Sequence, residues 1–278
     1  DALDCCEKVI TLDKNNYKNF NLKGLIFLKQ NKIKDALDNF KKSIKIDSNN
    51  SETHNNLGIA YKKIKKYEES IDCFKKSINL NSNNPEAYIN LDSSLRNIRE
   101  LDEAIINYNK AIELNPNSYE AYNNRGLTFK DLKNIDSALS DYKDSLKIKP
   151  SADVFNNIAN IYKNQNKLEK ALENYEKILT LDEDHVGALG NVIHTRNKLC
   201  IWDNYETSLI ELEKKIKDKK KVAMTFPLLS FFDSNNIIKQ NAILESENYE
   251  NSKEKKYKTS LNKKIRIGYY SADFRNHP

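Results

Sequence analysis

Polar side chains able to grip a ligand recur at a regular interval along this 278-residue chain. Asn56, Asn90, Asn124, Asn157 and Asn191 stand 33 or 34 residues apart. A primary amide offers one acceptor and two donors and carries no charge. A row of them can therefore hold the backbone of an extended peptide without selecting its side chains. Other reactive groups are sparse. Cys5, Cys6, Cys73 and Cys200 show neither C-x-x-C spacing nor a nearby His pattern, which argues against a zinc site and reads as free thiols of a reducing compartment. His54 reads as a packing residue, and His185 and His194 as structural or surface residues, since none has a partner at metal-ligand spacing. The basic run of Lys214, Lys215, Lys217, Lys219, Lys220 and Lys221 could meet an acidic partner, but such a run is more often a solvated helix end. The repetitive part holds no phosphate loop, nucleophile elbow or isolated carboxylate pair.

The asparagine interval belongs to a larger register. Counting units from Tyr17, Ser51, Pro85, Tyr119 and Ala152, the fourth position reads Phe20, His54, Tyr88, Tyr122 and Phe155. The eighth reads Gly24, Gly58, Asp92, Gly126 and Ala159, the twentieth Ala36, Ser70, Ala104, Ala138 and Ala171, and the twenty-fourth Phe40, Phe74, Tyr108, Tyr142 and Tyr175. The fourth unit is one residue short. This pattern resembles the tetratricopeptide repeat over residues 17–185. Small residues at positions eight and twenty let two antiparallel helices approach, and large ones at four and twenty-four fill the space between pairs. Asp92 and Arg125 depart from the usual Gly and Leu, which predicts a looser contact there. The asparagines fall at position six of the first helices, which line the inner face of such a superhelix. Asn also recurs at position five, and Leu22 breaks the row in the first unit.

Residues 1–16 read as the second helix of a partial repeat, 186–247 as capping and connecting helices with one near 204–221, and 248–264 as a Lys-rich linker. Residues 265–270, IRIGYY, alternate like a strand and open a new region over 265–278. With 38% hydrophobic and 31% charged residues, no run of the sequence is long and apolar enough for a membrane span. The net charge of +6 lies wholly in the last third, leaving residues 1–185 neutral and a poor match for nucleic acid. No signal-peptide pattern is present, and the expected compartment is the cytoplasm, with the nucleus added for a eukaryotic source.

The segment KIRIGYYSADFRNHP at the carboxyl end, with CIWDNY at Cys200–Tyr205 and FPLLSFFD at Phe226–Asp233, resembles the connector and catalytic opening of the protein O-linked N-acetylglucosamine transferase family, including SPINDLY-like and bacterial members. The resemblance implies a tetratricopeptide-repeat right-handed superhelix, all-α, followed by the first β-strand of an α/β glycosyltransferase region. It implies transfer of N-acetylglucosamine from UDP-GlcNAc to Ser or Thr of acceptor proteins held in the inner groove, or of fucose from GDP-fucose as in SPINDLY-like members, with no catalytic metal. It places His277 in the active-site cleft, where a near-neutral imidazole can accept a hydroxyl proton. The 278 residues by themselves are expected to be inactive, lacking the groups that hold a nucleotide diphosphate. The alternative is a non-catalytic interaction scaffold; self-association is left open. A clamp for terminal carboxylates is disfavoured, because only Lys18 stands where such a clamp needs a cation.

Overall fold

The computed structural model describes residues 8, 11, 13, 15–228, 231, 232 and 235–250. Residues 265–270 and His277 lie outside them. Every regular element among the described residues is an α-helix. Five antiparallel pairs run α1 (Tyr17–Lys29) with α2 (Ile33–Ile46), α3 (Ser51–Lys63) with α4 (Tyr67–Leu80), α5 (Pro85–Asn97) with α6 (Leu101–Leu114), α7 (Tyr119–Asp131) with α8 (Ile135–Ile148), and α9 (Ala152–Asn164) with α10 (Leu168–Leu181). Then come α11 (Ala188–Lys198), α12 (Tyr205–Lys217), the short α13 (Thr225–Leu228) and α14 (Asn235–Glu250), which takes in the first three residues of the expected linker. None of these helices is long and apolar enough to cross a membrane.

The same local chemistry starts four of the five first helices and turns the chain between the helices of every pair. Asn16, Asn50, Asn84 and Ser118 cap the first helices by accepting from backbone N–H groups of the first turn. Between the two helices of each pair, Asn31, Lys65, Arg99, Lys133 and Asn166 adopt φ of 56–69°. That left-handed residue lets the next N–H reach back five residues, as in Lys32 N to Phe27 O at 2.9 Å and Lys167 N to Tyr162 O at 2.9 Å. Cys200, with φ of 56°, repeats the motif after α11, where Ile201 N bonds Arg196 O at 2.9 Å. The periodic backbone thus continues into a sixth first helix.

Within pairs, the glycines at position eight lie flat against the aromatic at position twenty-four. A Cβ on Gly24 would sit 2.5 Å from Phe40, on Gly58 2.6 Å from Phe74, and on Gly126 2.8 Å from Tyr142. Phe40, Phe74, Tyr108, Tyr142 and Tyr175 are buried to 0–1% exposure, so these aromatics are the core. Contact between successive pairs runs through each second helix against the next first helix, and first helices also meet one another, which puts them on the inner side.

The two sequence departures behave differently from each other. Arg125 is firmly held: it donates to both carboxylate oxygens of Asp141 at 2.8 and 2.6 Å and to Asn109 at 2.6 Å, and lies over the rings of Tyr122 and Phe129. The expected looseness is absent there, because a forked guanidinium replaces apolar packing with a bidentate bond. Asp92 is fully buried with both carboxylate oxygens unpartnered. Burial pushes its carboxyl up to about 9, from an ordinary 3.8.

Past the repeats, the segment 221–223 crosses the start of α11. Gly187 N donates to Lys221 O at 2.9 Å and Gly190 N to Val222 O at 3.0 Å, an approach that works because a Cβ on Gly190 would lie 2.6 Å from the Ala223 Cβ. Leu189, Ile193, Leu212, Ile216, Val222 and Leu228 form one apolar cluster that closes this end of the array.

Candidate functional site

The inner surface is built from the first helices, and the amides at positions five and six define it. At its front the row is zipped shut. Asn56 is buried and its Nδ2 donates to Asn21 Oδ1 at 3.0 Å, while Asn21 in turn donates to Glu52 at 3.1 Å. Asn90 Nδ2 donates to Asn55 Oδ1 at 3.3 Å, and Lys62 Nζ donates to Asn90 Oδ1 at 3.3 Å. These amides link neighbouring repeats. Asn124 and Asn157 are half-buried, and their side chains make no hydrogen bond among the described residues.

The row opens at its far end. Between α9, the turn after α10 and α11 lies a cleft of about 660 Å³ lined by Asn156, Asn160, Lys163, His185, Asn191 and Met224. Asn191 is therefore brought to a recess with Asn156, the position-five amide of the preceding unit. Neither of their side chains is engaged in a hydrogen bond among the described residues. Asn160 Oδ1 accepts from Tyr175 Oη at 2.7 Å, which orients the Asn160 amide. His185 Nε2 lies 3.2 Å from Asp153 Oδ1, and its Nδ1 is buried without a partner. Exposed Val186 and Met224 supply an apolar rim.

The charges of the cleft are divided. Lys163 is half-buried; desolvation lowers its ammonium below the usual lysine range, and Lys198 adds repulsion. Behind Lys163, outside the cleft lining, His194 is lowered by burial and then by Lys198 and Lys163, and its ring is tilted at 54° to that of Phe231 with centroids 6.1 Å apart. On the opposite side, Asp184 is held below the usual carboxylate range by Lys220 and Lys215, at 2.7 and 3.1 Å. Two lysines of the basic run are thereby committed to the array itself. An arrangement of open amides, one poorly solvated cation, the carboxylates of Asp153, Asp182 and Asp184, and an apolar lip can bind a polypeptide backbone with its side chains. No group of His, Cys, Asp and Glu among the described residues could hold a metal ion, and Cys73 and Cys200 are free thiols.

Asn160, Lys163, His185 and Met224 were not signalled by the asparagine spacing. Asn156 was visible in sequence as a position-five amide, and the tandem of Asn at five and six is the signal that an inter-repeat amide pair exists. The regularities that build this surface agree with independent family patterns. A model described as TPR repeat matches residues 24–65 and 100–133, and models described as tetratricopeptide repeat match 51–84, 119–151 and 152–185. The chain is a tetratricopeptide-repeat protein. Its repeats resemble those of MamA, with 28% identity over 60% of this chain and 92% of that one and a TM-score of 0.53. YrrB, described as a TPR protein with an unusual peptide-binding site, is 24% identical over 69% of this chain and 97% of its own, with a TM-score of 0.53. PilF of Pseudomonas aeruginosa shares the fold with a TM-score of 0.62 at 17% identity, over 73% of this chain and 92% of that one. No curated protein shows significant similarity to this tetratricopeptide-repeat chain.

Proposed function

We propose that this protein is an interaction scaffold whose inner groove holds an extended polypeptide segment, with the cleft around Asn156 and Asn191 as the gripping point. The observation that carries the reading is the pair of unengaged amides in a recess of about 660 Å³, set on a surface where the equivalent amides further forward bond to each other. Two open amides can bracket one peptide unit, and the half-buried Lys163 favours an acceptor group nearby. The similarity to YrrB, whose description names a peptide-binding site, supports the same direction. Selection of peptides from a random displayed library on the intact chain tests it. The selected peptides should bind the Asn156→Ala/Asn191→Ala variant about tenfold more weakly, the loss of one or two hydrogen bonds, with helix content unchanged. Equal binding to the double variant would remove the cleft from the function.

A second reading is supported by the resemblance of residues 200–205, 226–233 and 264–278 to the O-linked N-acetylglucosamine transferase family. In it the scaffold presents acceptor proteins to a glycosyltransferase region in which His277 lies in the active-site cleft. Calorimetric titration of the full-length gene product with UDP-GlcNAc and with GDP-fucose tests this reading and its donor. Absence of binding to both would leave the scaffold alone.

A further inference from the structure

The outer face carries a pocket that the inner groove does not use. It lies where α2, α3 and α4 meet, holds about 350 Å³, and has Ile44, Leu57, His54 and Cys73 as its floor. Two departures from the repeat produce it. Position four is Phe20, Tyr88, Tyr122 and Phe155 in the other units but the smaller His54 here, drawn down so that its Nε2 meets Ser48 O at 3.0 Å. Position twenty-three is Asn39, Asn107, Asp141 and Asn174 elsewhere but Cys73 here, so a polar side chain is replaced by a weakly polar thiol.

The rim is cationic. Lys41, Lys45 and Lys76 are exposed around the apolar floor, against one lining carboxylate, Asp72. None of the three lysines forms a hydrogen bond or ion pair among the described residues; Lys41 lies 5.8 Å from the Tyr61 ring centroid. Lys75, which occupies in the second unit the position of Lys41 in the first, pairs with Glu103 at 2.8 Å. The cations at the pocket are thus left available, whereas Lys75 beside them is matched.

We propose that this outer-face pocket is a docking site for a partner protein segment that inserts one bulky apolar side chain between acidic neighbours. The apolar floor selects the anchor, since removing a leucine-sized side chain from water is worth roughly tenfold to a hundredfold in affinity. The three lysines select the flanks and speed encounter, an effect that salt weakens. The volume sits near the lower end of cavities that hold small ligands, about 300 Å³, and suits one side chain.

The test uses a fluorescein-labelled peptide with a leucine set between runs of glutamate, titrated with the intact chain and followed by anisotropy. His54→Tyr refills the gap with the residue type of Tyr88 and Tyr122 and so keeps the repeat's own packing. Binding should fall about tenfold in His54→Tyr and in Lys41→Glu/Lys76→Glu, and about tenfold when the peptide's leucine becomes serine. The loss in His54→Tyr should be as large when it is measured in an Asn156→Ala/Asn191→Ala background, which separates this site from the inner groove. Bound peptide should also slow alkylation of Cys73, read by mass spectrometry, and leave that of exposed Cys200 unaltered. No binding by the wild type, equal binding by His54→Tyr, or equal binding of the serine peptide would overturn the proposal.

Discussion

Replacing Asp92 by Ala should stabilise the protein, and the gain should grow with pH. Asp92 occupies a position that is Gly or Ala in every other repeat, is 0% exposed, and leaves both carboxylate oxygens without a partner. Its surroundings offer little relief: the Asn107 amide, which would pull the carboxyl down, donates to the Glu103 carbonyl at 3.0 Å, and the Glu103 carboxylate pushes it up. Burial holds the folded-state carboxyl at about 9, against an ordinary value of 3.8. The sign follows from proton binding. Between these two values the folded state keeps a proton that the unfolded state has released, so stability is greatest below the lower one. It falls by about 1.4 kcal/mol per pH unit until the upper one is reached. Integrated to about pH 7 this amounts to about 4 kcal/mol, and an unpartnered buried polar group by itself costs about 1–3 kcal/mol. The Ala variant, which already fits the space of the Asp92 Cβ, should therefore be more stable than wild type, with a gain about 3 kcal/mol larger at about pH 7 than at about pH 5. Urea unfolding followed by circular dichroism at both values and at about pH 8.5 reads the trend. Asp92→Asn separates the causes, since it keeps an unpartnered polar group but cannot titrate; its stability should be nearly flat relative to the Ala variant. A variant no more stable than wild type above neutrality, or a gain identical at all three values, would refute the reasoning.

Gly58→Ala should destabilise by about 1–3 kcal/mol, because its Cβ would meet the fully buried Phe74 ring at 2.6 Å and the ring has nowhere to move; a thermal melt checks this. Arg125→Ala leaves Asp141, 4% exposed, as a nearly buried carboxylate without its bidentate partner, and should cost about 3–5 kcal/mol in urea unfolding. The paired change Arg125→Leu/Asp141→Asn puts in the residues of the third repeat, Leu91 and Asn107, and should recover most of that loss. Ser43→Ala removes the buried hydroxyl that donates to Tyr17 O at 2.9 Å within the first repeat and should lower its stability by about 1 kcal/mol, seen as earlier hydrogen exchange in α1 and α2.

The solenoid was legible because its information is local and repeated. Position eight against position twenty-four and the 34-residue interval each appear several times, so any one exception does not hide the rule. What could not be read was how the exceptions resolve. Arg125 looks in sequence like a lost apolar contact; its answer lies at Asp141 on the partner helix, and nothing in spacing says that two departures are each other's partners. His54 reads correctly as an aromatic substitute, yet the space it vacates on the outer face emerges only when Cys73 is seen beside it. The closing segment carries no periodicity at all. That Gly187 and Gly190 donate to the carbonyls of Lys221 and Val222 depends on a close backbone approach, which a sequence marks only by the two glycines.

The asparagine row shows why regular spacing does not by itself give a regular surface. The amide bond between repeats joins position five of one unit to position six of the next, 35 residues away, as in Asn21 with Asn56 and Asn55 with Asn90. At the third unit position five is Ile89, so Asn124 has no amide acceptor. The fourth unit is one residue short, and Asn123 and Asn157 stand 34 apart; Asn123 Oδ1 is left buried without a partner. The fifth unit restores 35 between Asn156 and Asn191, but the next first helix now begins at a left-handed Gly187, φ 77°, pinned to Lys221 from outside the repeat. The pair remains unjoined and the cleft lies between its members. Where the array is regular its amides bond to one another; where Ile89, the shortened fourth unit or the closing segment interrupts the pattern, the amides are left without that partner. The irregular end of the solenoid is thus the part with unengaged amide donors and acceptors, which is what the proposed peptide groove requires.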